Sequence, residues 1–417
     1  MKNNLLSLAE VADMLSVSKE TLRRWDKSGK LASMRHPINN YRVYKKEQLK
    51  MFDQLGFMFD EKPRRKSSRP LRKYKAIELF AGAGGLALGL ENAGFDTLLH
   101  NDFDKWACET LKINRPNWNV IHDDVRNLDF KKYHNRIDLL TGGFPCQAFS
   151  YAGNQMGFAD ARGTLFYEYA RAVKEIRPPI FLAENVRGLL THDNGRTLSS
   201  MLSVMNELGY HVIQPKLIKA IFYRVPQKRE RLIIIGIRKD LPHDFFHFPE
   251  PHSKIYTVKD ALKKGSLFDC DVPKSFGQKY PAKKASILAQ VPPGGYWRDL
   301  PVKLQKEYMK GSFYLGGGKT GMARRMSWDE PSLTLTCAPA QTQTERCHPS
   351  ETRPFTVREY ARIQTFPDDW QFAGAMGQQY KQIGNAVPVN LATEIAQSIV
   401  NYLNTLEEIE EHRKISA

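Results

Sequence analysis

An apolar segment that runs straight into a glycine turn constrains the fold more than any other feature of this chain. Residues 76–80 indicate a buried strand, and the next ten, AGAGGLALGL, pass through a turn into a helix. Gly82-x-Gly84-x-x-Ala87, with Asp102 about twenty residues later at the end of a second strand, satisfies the loose dinucleotide fingerprint. The pattern predicts an α/β sheet whose first turn holds an adenosine-like ligand. It leaves nicotinamide, flavin and S-adenosylmethionine open.

A cysteine stands in a second turn of this kind. Residues 136–140 indicate a short buried strand, and residues 142–150 follow as GGFPCQAFS. Ligands of open α/β sheets bind at the carboxyl ends of strands, and a thiol in such a turn is partly exposed. Cys146 is therefore the predicted nucleophile. A small, inert hydrophobic residue is the alternative interpretation of a cysteine without chemical context.

Two further strands end in acidic residues. The apolar run 180–183 ends at Glu184, so we expect this carboxyl at the same rim of the sheet as Cys146. Partial burial there raises the pKa of the carboxyl and lets it share a proton. Asp124 follows a predicted third strand, residues 119–122. A helix N-cap is the alternative interpretation of either acidic residue.

A basic segment then leads into another apolar strand. In residues 222–238, alternation predicts that Gln227, Arg229 and Arg231 lie on one side. From residue 239 the rhythm of strands and helices stops, and we expect a second, smaller domain with glycine-rich and aromatic loops suited to a nucleic-acid groove.

Motifs of two other classes are absent from that second region. Residues 316–320 lack P-loop spacing, which excludes an NTPase, and Cys337, Cys347 and His348 match no zinc-finger pattern. We expect no metal. After it, Thr356 caps a predicted helix, and the last helix is expected to open at Tyr380.

The charge distribution indicates a polyanionic partner. The 417 residues carry a net charge of +17, and residues 1–75 hold 19 Lys and Arg against 8 Asp and Glu, so eleven of those charges are N-terminal. Five irregularly spaced cysteines indicate reduced thiols, and neither an eighteen-residue apolar run nor a signal peptide occurs. We therefore expect a cytoplasmic protein.

The N-terminal residues are patterned as a folded unit. Ser7 caps a first predicted helix, Ser16 and Val17 form a short turn, and a second helix covers residues 18–27. One strand of a wing (residues 39–44) and a third helix (residues 45–55) are expected to follow. The segment resembles the MerR-like winged helix-turn-helix family; a helical hairpin that docks on the main domain is the alternative.

From residue 75 to about 403 the chain resembles the DNA (cytosine-5-)-methyltransferases. The motifs that carry this resemblance occur in the family's order: FAGAGG from Phe80, GFPCQ from Gly143, RGTLF from Arg162, ENV from Glu184, QKRER from Gln227 and GNAV from Gly384. The resemblance implies an α/β fold, an S-adenosylmethionine-dependent methyltransferase Rossmann-like sheet with an inserted small target-recognition domain, preceded by a small winged helix-turn-helix domain. The expected segments are a winged helix-turn-helix domain (1–58), a basic linker (59–75), a catalytic domain (76–240), a target-recognition domain (241–352) and a returning C-terminal segment (353–417).

The resemblance also implies the catalytic residues. Cys146 adds to carbon 6 of a cytosine flipped out of the duplex, and the loop that contains Gln147 closes over the base. Glu184 bonds or protonates ring nitrogen 3. Arg231 contacts the carbonyl oxygen of the base, with support from Arg229. Addition at carbon 6 makes carbon 5 nucleophilic toward the sulfonium methyl group.

The same resemblance implies a set of cofactor residues. The turn around the methionine part would contain Phe80, Gly82 and Gly84. Asp102 would hold the ribose, Phe103 would stack on adenine, and Asp124 would bind its amino group. The remaining wall would comprise Pro145, Leu165, Asn385 and Val387. The family usually has Glu at the position of Asp102 and often Trp at that of Phe103, so a longer or water-bridged ribose contact and weaker stacking are expected.

Substrate and partners follow from the same comparison. We expect double-stranded DNA as substrate, no membrane, and a monomer during catalysis, in a restriction-modification setting. The N-terminal domain is expected to bind an operator as an autoregulator and could dimerise there; additional DNA binding during methylation is the alternative role. An RNA cytosine methyltransferase and a DNA-binding transcriptional regulator with a degenerate enzyme domain are the alternatives.

Overall fold

The computed structural model describes residues 5–36, 40–59, 68–145, 164–316 and 319–416. The N-terminal module contains a helix-turn-helix, as predicted. Ser7 caps the first helix in a capping box, since its Oγ accepts from the Glu10 amide at 3.2 Å and its own amide donates to the Glu10 carboxylate at 2.7 Å. Three short strands form the wing in the order β1-β3-β2. The elements are β1 Leu5–Ser7, α1 Leu8–Leu15, α2 Lys19–Lys27, β2 Met34–Arg35 and β3 Arg42–Lys45.

The predicted third helix over residues 45–55 is wrong. Two 3-10 helices, Lys46–Met51 and Asp53–Met58, occupy this region, and Phe52 between them is extended (φ −107°, ψ 103°). Its ring stacks on Trp25 with centroids 5.8 Å apart. This tertiary contact outweighs the local helical pattern.

Eight strands within the described residues form one mixed sheet in the order β10-β12-β8-β7-β4-β5-β6, with β9 paired to β12. Strands β4 to β8 are mutually parallel, and β12 runs antiparallel to β8. The elements from β4 to β12 are β4 Lys75–Leu79, α3 Gly85–Ala93, β5 Asp96–Asp102, α4 Lys105–Asn114, β6 Val120–His122, β7 Leu139–Gly142, α5 Leu165–Ile176, β8 Ile180–Val186, α6 Arg196–Glu207, β9 Tyr210–Val212, β10 Lys216–Lys219, β11 Gln227–Lys228 and β12 Glu230–Arg238.

Both faces of this sheet are buried, which explains why its strands are near-continuous apolar runs. In β12, Ile233 and Ile235 pack in the cluster that contains α3 and the C-terminal helix, whereas Leu232 and Ile234 pack with α5 and α6. Apolar residues of the N-terminal module belong to the first of these clusters. The module is therefore packed against the domain that contains the eight-stranded sheet rather than separated from it.

Between β12 and Thr356, the described residues form only short elements. Helix α7 packs in one cluster with α10 and Trp370, and α8 and α9 contribute to a second cluster. These elements are α7 Val258–Leu262, α8 Ala282–Leu288, α9 Val302–Met309 and β13 Ser332–Leu333, which pairs in parallel with β11. Over the described ranges, no helix combines the length and apolar character needed to cross a bilayer.

The chain ends in three helices: α10 Val357–Ile363, α11 Met376–Asn385 and α12 Val389–Ser416. The predicted Thr356 cap is confirmed, because Thr356 Oγ1 accepts from the Glu359 amide at 3.3 Å. The expectation that the last helix opens at Tyr380 is wrong, since Tyr380 lies inside α11. Pro388 disfavours helical backbone at the residue before it, and α12 begins directly afterwards.

Candidate active site

A cavity of about 790 Å³ lies at the carboxyl ends of the parallel strands. Its lining includes residues that directly follow β4, β5, β6 and β7, the last residues of β8, and residues around the α11–α12 turn. Glu184 and Arg231 line the same cavity. Nine of the ten predicted cofactor residues are among its lining: Phe80, Gly82, Asp102, Phe103, Asp124, Pro145, Leu165, Asn385 and Val387. The tenth, Gly84, lies between the lining residues Ala83 and Gly85.

The glycine turn is held in an uncommon backbone conformation. Phe80, Gly82 and Gly84 have φ values of 57°, 55° and 90°, in the left-handed region. A Cβ at Gly84 would also lie 2.8 Å from both Leu111 and Trp370. The Gly82 amide donates to Asp102 Oδ2 at 2.7 Å, so the turn is fixed to the end of β5.

The predicted ribose and adenine residues surround one end of the cavity. Asp102 Oδ1 accepts from the Asp104 amide at 2.8 Å, and burial raises the pKa of the Asp102 carboxyl. The Phe103 ring is 75% exposed, as a stacking surface for a planar ligand would be. Asp124 caps the 3-10 helix Val125–Asn127 through the Arg126 amide at 3.0 Å, so its N-cap interpretation is confirmed, and it lines the cavity as well.

Glu184 and Arg231 form an ion pair across two antiparallel strands. Arg231 is paired in register with Val186, and Glu184 with Ile233, which brings the two side chains together on one face. Arg231 Nε contacts Glu184 Oε1 directly. Burial raises the pKa of the Glu184 carboxyl, and Arg231 offsets part of that rise, which agrees with the expected direction.

The turn that precedes Cys146 lies against this pair. Asn185 donates to the Phe144 carbonyl oxygen at 3.0 Å. A Cβ at Gly143 would lie 2.9 Å from Glu184 Oε2, so glycine leaves room for the carboxylate. Pro145 lines the cavity and directly precedes Cys146 in the sequence. Cys146 and Gln147 themselves lie outside the described residues.

The expectation that Gln227, Arg229 and Arg231 share one side is wrong. The strand is interrupted at Arg229, between β11 and β12, and only Arg231 lines the cavity. The buried Arg229 guanidinium instead donates to the carbonyl oxygens of Gly384 at 2.9 Å and Asn385 at 3.3 Å. Gln227 is hydrogen-bonded to Gln364. The side chains of Gln227 and Arg229 thus stabilise the contact with the C-terminal helices.

Two polar pairs at the cavity were not anticipated. Glu78 Oε2 and His100 Nδ1 are 2.8 Å apart and fully buried beneath it. A charged residue inside the otherwise apolar segment 76–80 is a sequence signal that could have identified Glu78. Lys381 contacts Asp104 Oδ2 at 2.8 Å from the opposite wall. No local pattern could have identified that contact, because the residues are 277 positions apart.

Comparison with known proteins decides the family. The model of the C-5 cytosine-specific DNA methylases matches residues 74–401. The chain belongs to this DNA methylase family. The prediction of a DNA (cytosine-5-)-methyltransferase is therefore confirmed. A helix-turn-helix domain model matches residues 5–52, in agreement with the N-terminal prediction.

Relatives within the family align over most of the chain. Type II methyltransferase M.Eco47II of Escherichia coli is 63% identical over 401 residues, 96% of either protein. M.PspPI of Psychrobacter sp. (strain TA137) is 60% identical over 96% of this chain and 97% of its own. M.Sau96I of Staphylococcus aureus is 52% identical over 85% of this chain and 82% of its own.

Solved structures share the fold. A prophage-encoded DNA modification methyltransferase of E. coli is 27% identical with a TM-score of 0.57, and the match covers 80% of this chain and 100% of that one. A DNMT2 mutant of Spodoptera frugiperda has the same TM-score at 17% identity, over 78% of this chain and 99% of its own. At that identity the likeness concerns the fold alone.

Proposed function

We propose that this methylase is a Type II restriction-modification enzyme that uses S-adenosylmethionine to methylate carbon 5 of cytosine within a short duplex DNA sequence. Relatives that are 63%, 60% and 52% identical are Type II methyltransferases. The observation that carries the proposal is the buried Glu184–Arg231 pair at a cavity with a glycine turn. A carboxyl with a raised pKa beside a guanidinium suits a cytosine edge, which offers a ring nitrogen and a carbonyl oxygen.

The described residues fit S-adenosylmethionine. The turn Phe80–Gly84 exposes backbone to the cavity, and a Cβ at Gly82 would meet no atom within 4 Å, so there is space beside it. The Asp102 carboxylate, fixed by two amides, would accept from ribose hydroxyls, and the exposed Phe103 ring would stack on adenine. When bound, the cofactor supplies an electrophilic methyl group. Its remaining contacts would come from Asp124, Pro145, Leu165, Asn385 and Val387.

Glu184, Arg231 and Cys146 would share the work on the base. As the Cys146 thiolate adds to carbon 6, negative charge develops in the ring and is relieved at nitrogen 3 by the Glu184 proton. Arg231 would donate to the carbonyl oxygen and hold the ring against Glu184. Arg229 would act as a positioning residue through Gly384 and Asn385, and Gln147 would belong to the loop that closes over the flipped base.

The test is methyl transfer by the wild type and by Cys146→Ala. We expect the wild type to transfer labelled methyl groups to duplex DNA and to be trapped covalently by a duplex with 5-fluorocytosine in its recognition sequence. Cys146→Ala should lose both activities and keep measurable DNA binding, because phosphate contacts do not depend on the nucleophile. Transfer by Cys146→Ala near the wild-type rate would refute the mechanism.

Sequencing of DNA from an expression host without cytosine methylation, after bisulfite treatment, would identify the recognition sequence. The same transfer assay with tRNA distinguishes the RNA alternative. We expect transfer to duplex DNA only. A higher kcat/KM on tRNA than on duplex DNA would show that RNA, and not DNA, is the preferred substrate.

A further inference from the structure

Charged side chains fix the N-terminal module (residues 5–36 and 40–59) on the enzyme. Lys228 Nζ lies 2.8 Å from Asp13 Oδ1 and 3.2 Å from Glu330 Oε2, and Lys19 Nζ lies 2.8 Å from Glu330 Oε1. These four residues come from α1, α2, β11 and the segment before β13. The side chains of Asp13, Lys228 and Glu330 are 20% exposed or less, so the cluster is shielded from solvent and weakly screened.

The docked edge of the module contacts the start of β12, the strand that carries Arg231. Ser16 Oγ, in the turn between α1 and α2, donates to Glu230 Oε1 at 3.2 Å, and Glu230 directly precedes Arg231. Lys219 Nζ on β10 donates to the Met14 carbonyl oxygen at 3.1 Å. With the apolar cluster described above, these contacts set the module at a fixed position next to the strand that carries Arg231.

Helix α2 presents exposed cations from this fixed position. Lys19, Arg23 and Lys27 are four residues apart and share one side of the helix, and Arg24 is next to them. Arg23, Arg24 and Lys27 are exposed. The partner of Arg23 is the exposed Glu20 at 2.9 Å, a surface pair that contributes little and leaves Arg23 able to bind an anion.

We propose that α2 of the docked module is part of the surface that binds the substrate duplex, with Arg23, Arg24 and Lys27 contacting phosphates that flank the methylated sequence. The proposal rests on duplex DNA being the substrate. The nine residues of α2 extend about 14 Å, and a duplex has one phosphate charge per about 1.7 Å of axis, so the helix is long enough to span several phosphates of a duplex beside it.

The docking also determines what kind of contact α2 can make. A recognition helix reads bases with its N-terminal residues. Here that end is engaged by the enzyme, through Lys19 with Glu330 and Ser16 with Glu230. The docked helix is therefore left with backbone contacts, which position a protein on DNA without specifying sequence.

The test compares Arg23→Ala/Arg24→Ala/Lys27→Ala with the control Lys131→Ala/Lys132→Ala/Arg136→Ala, which removes three exposed cations from the opposite end of the sheet. Binding is measured against salt on two duplexes, one trimmed to the recognition sequence and one extended by about two helical turns on each side. For the α2 variant on the extended duplex, we expect the salt slope to fall by about 2.7 and Kd to rise at least tenfold. The trimmed duplex should bind as in the wild type, and kcat at saturating DNA should stay within about twofold.

Equal Kd values and salt slopes of the two variants on the extended duplex would overturn the inference. It would also be overturned if the α2 variant lost affinity only for a separate operator DNA. A nuclease footprint gives an independent measure, since the α2 variant should lose protection on one flank of the site. Failure of the proposed function would look different, because the wild type itself would then form no sequence-specific complex with either duplex.

Discussion

The Arg229 guanidinium donates a hydrogen bond to the Gly384 carbonyl oxygen at 2.9 Å. Arg229 lies two residues before Arg231, and Gly384 lies at the end of α11, next to the cavity wall formed by Asn385 and Val387. One buried side chain thus connects the strand of the base site to the wall of the predicted cofactor site. The two sites share a support.

Arg229→Lys is expected to weaken cofactor binding more than base chemistry. Lysine keeps the charge but cannot donate to Gly384 and Asn385 with a planar fork, and a charged hydrogen bond contributes about 1.5 to 3 kcal/mol. The Kd of S-adenosylmethionine should rise roughly tenfold or more, measured by calorimetry, with a smaller change in kcat at saturating cofactor. An unchanged Kd with a large loss of kcat would instead assign Arg229 to the base.

Glu184→Gln should have the opposite profile. Glutamine keeps the size and the contact with Arg231 but cannot transfer a proton, so kcat should fall by about 10² to 10⁴. The Kd of S-adenosylmethionine should stay within about twofold. Parallel losses in cofactor binding and turnover would contradict a role for Glu184 on the base.

Gly84→Ala should destabilise the fold by more than the cost of placing alanine at a positive φ. The new Cβ would meet Leu111 and Trp370 at 2.8 Å, and φ is 90°. Gly82→Ala is a matched control, because φ is also positive and the surrounding space is open. Without cofactor, we expect Gly84→Ala to melt well below Gly82→Ala, with an additional cost of about 1 to 3 kcal/mol from overpacking. Equal melting temperatures of the two variants would show that Leu111 and Trp370 move aside to accommodate the new Cβ.

Asp13 gives the docked module a pH dependence. Burial raises the pKa of Asp13 to about 6 from 3.8, while Lys228 lowers it in part. Between these values the folded chain holds a proton that the unfolded chain has lost, so the free energy of unfolding falls as pH rises from about 4 to about 6, by up to about 3 kcal/mol. Asp13→Asn should remove this fall. Melting curves of both proteins across that range measure it, and parallel curves would contradict the shift.

The sequence predicted the cavity well because its parts are local. An apolar strand, a glycine turn and an acidic strand end can each be identified from a few neighbouring residues, and parallel topology brings strand ends together without further information. For the same reason Glu184, Asp102 and Asp124 were found, whereas the partner of Arg229 was not, since it lies 155 residues away.

The errors likewise come from contacts between distant residues. The predicted third helix is interrupted at Phe52 because the Phe52 ring stacks on Trp25. For the N-terminal module, a winged helix-turn-helix and a hairpin docked on the main domain were treated as alternatives, but the structure contains a helix-turn-helix that is docked. Only tertiary packing could reveal that both descriptions hold.

Helix α12 has a consequence for how the protein is made. It covers the face of the large sheet on which α3 also packs. Its Asn404 side chain accepts a hydrogen bond from the Tyr74 hydroxyl at 2.7 Å, although the two residues are 330 positions apart. During synthesis the part of that apolar face beneath α12 stays uncovered until the helix has left the ribosome, so we expect the nascent domain to need chaperones until then. A premature stop codon before Val389 should therefore yield an aggregating chain and not a weakened enzyme.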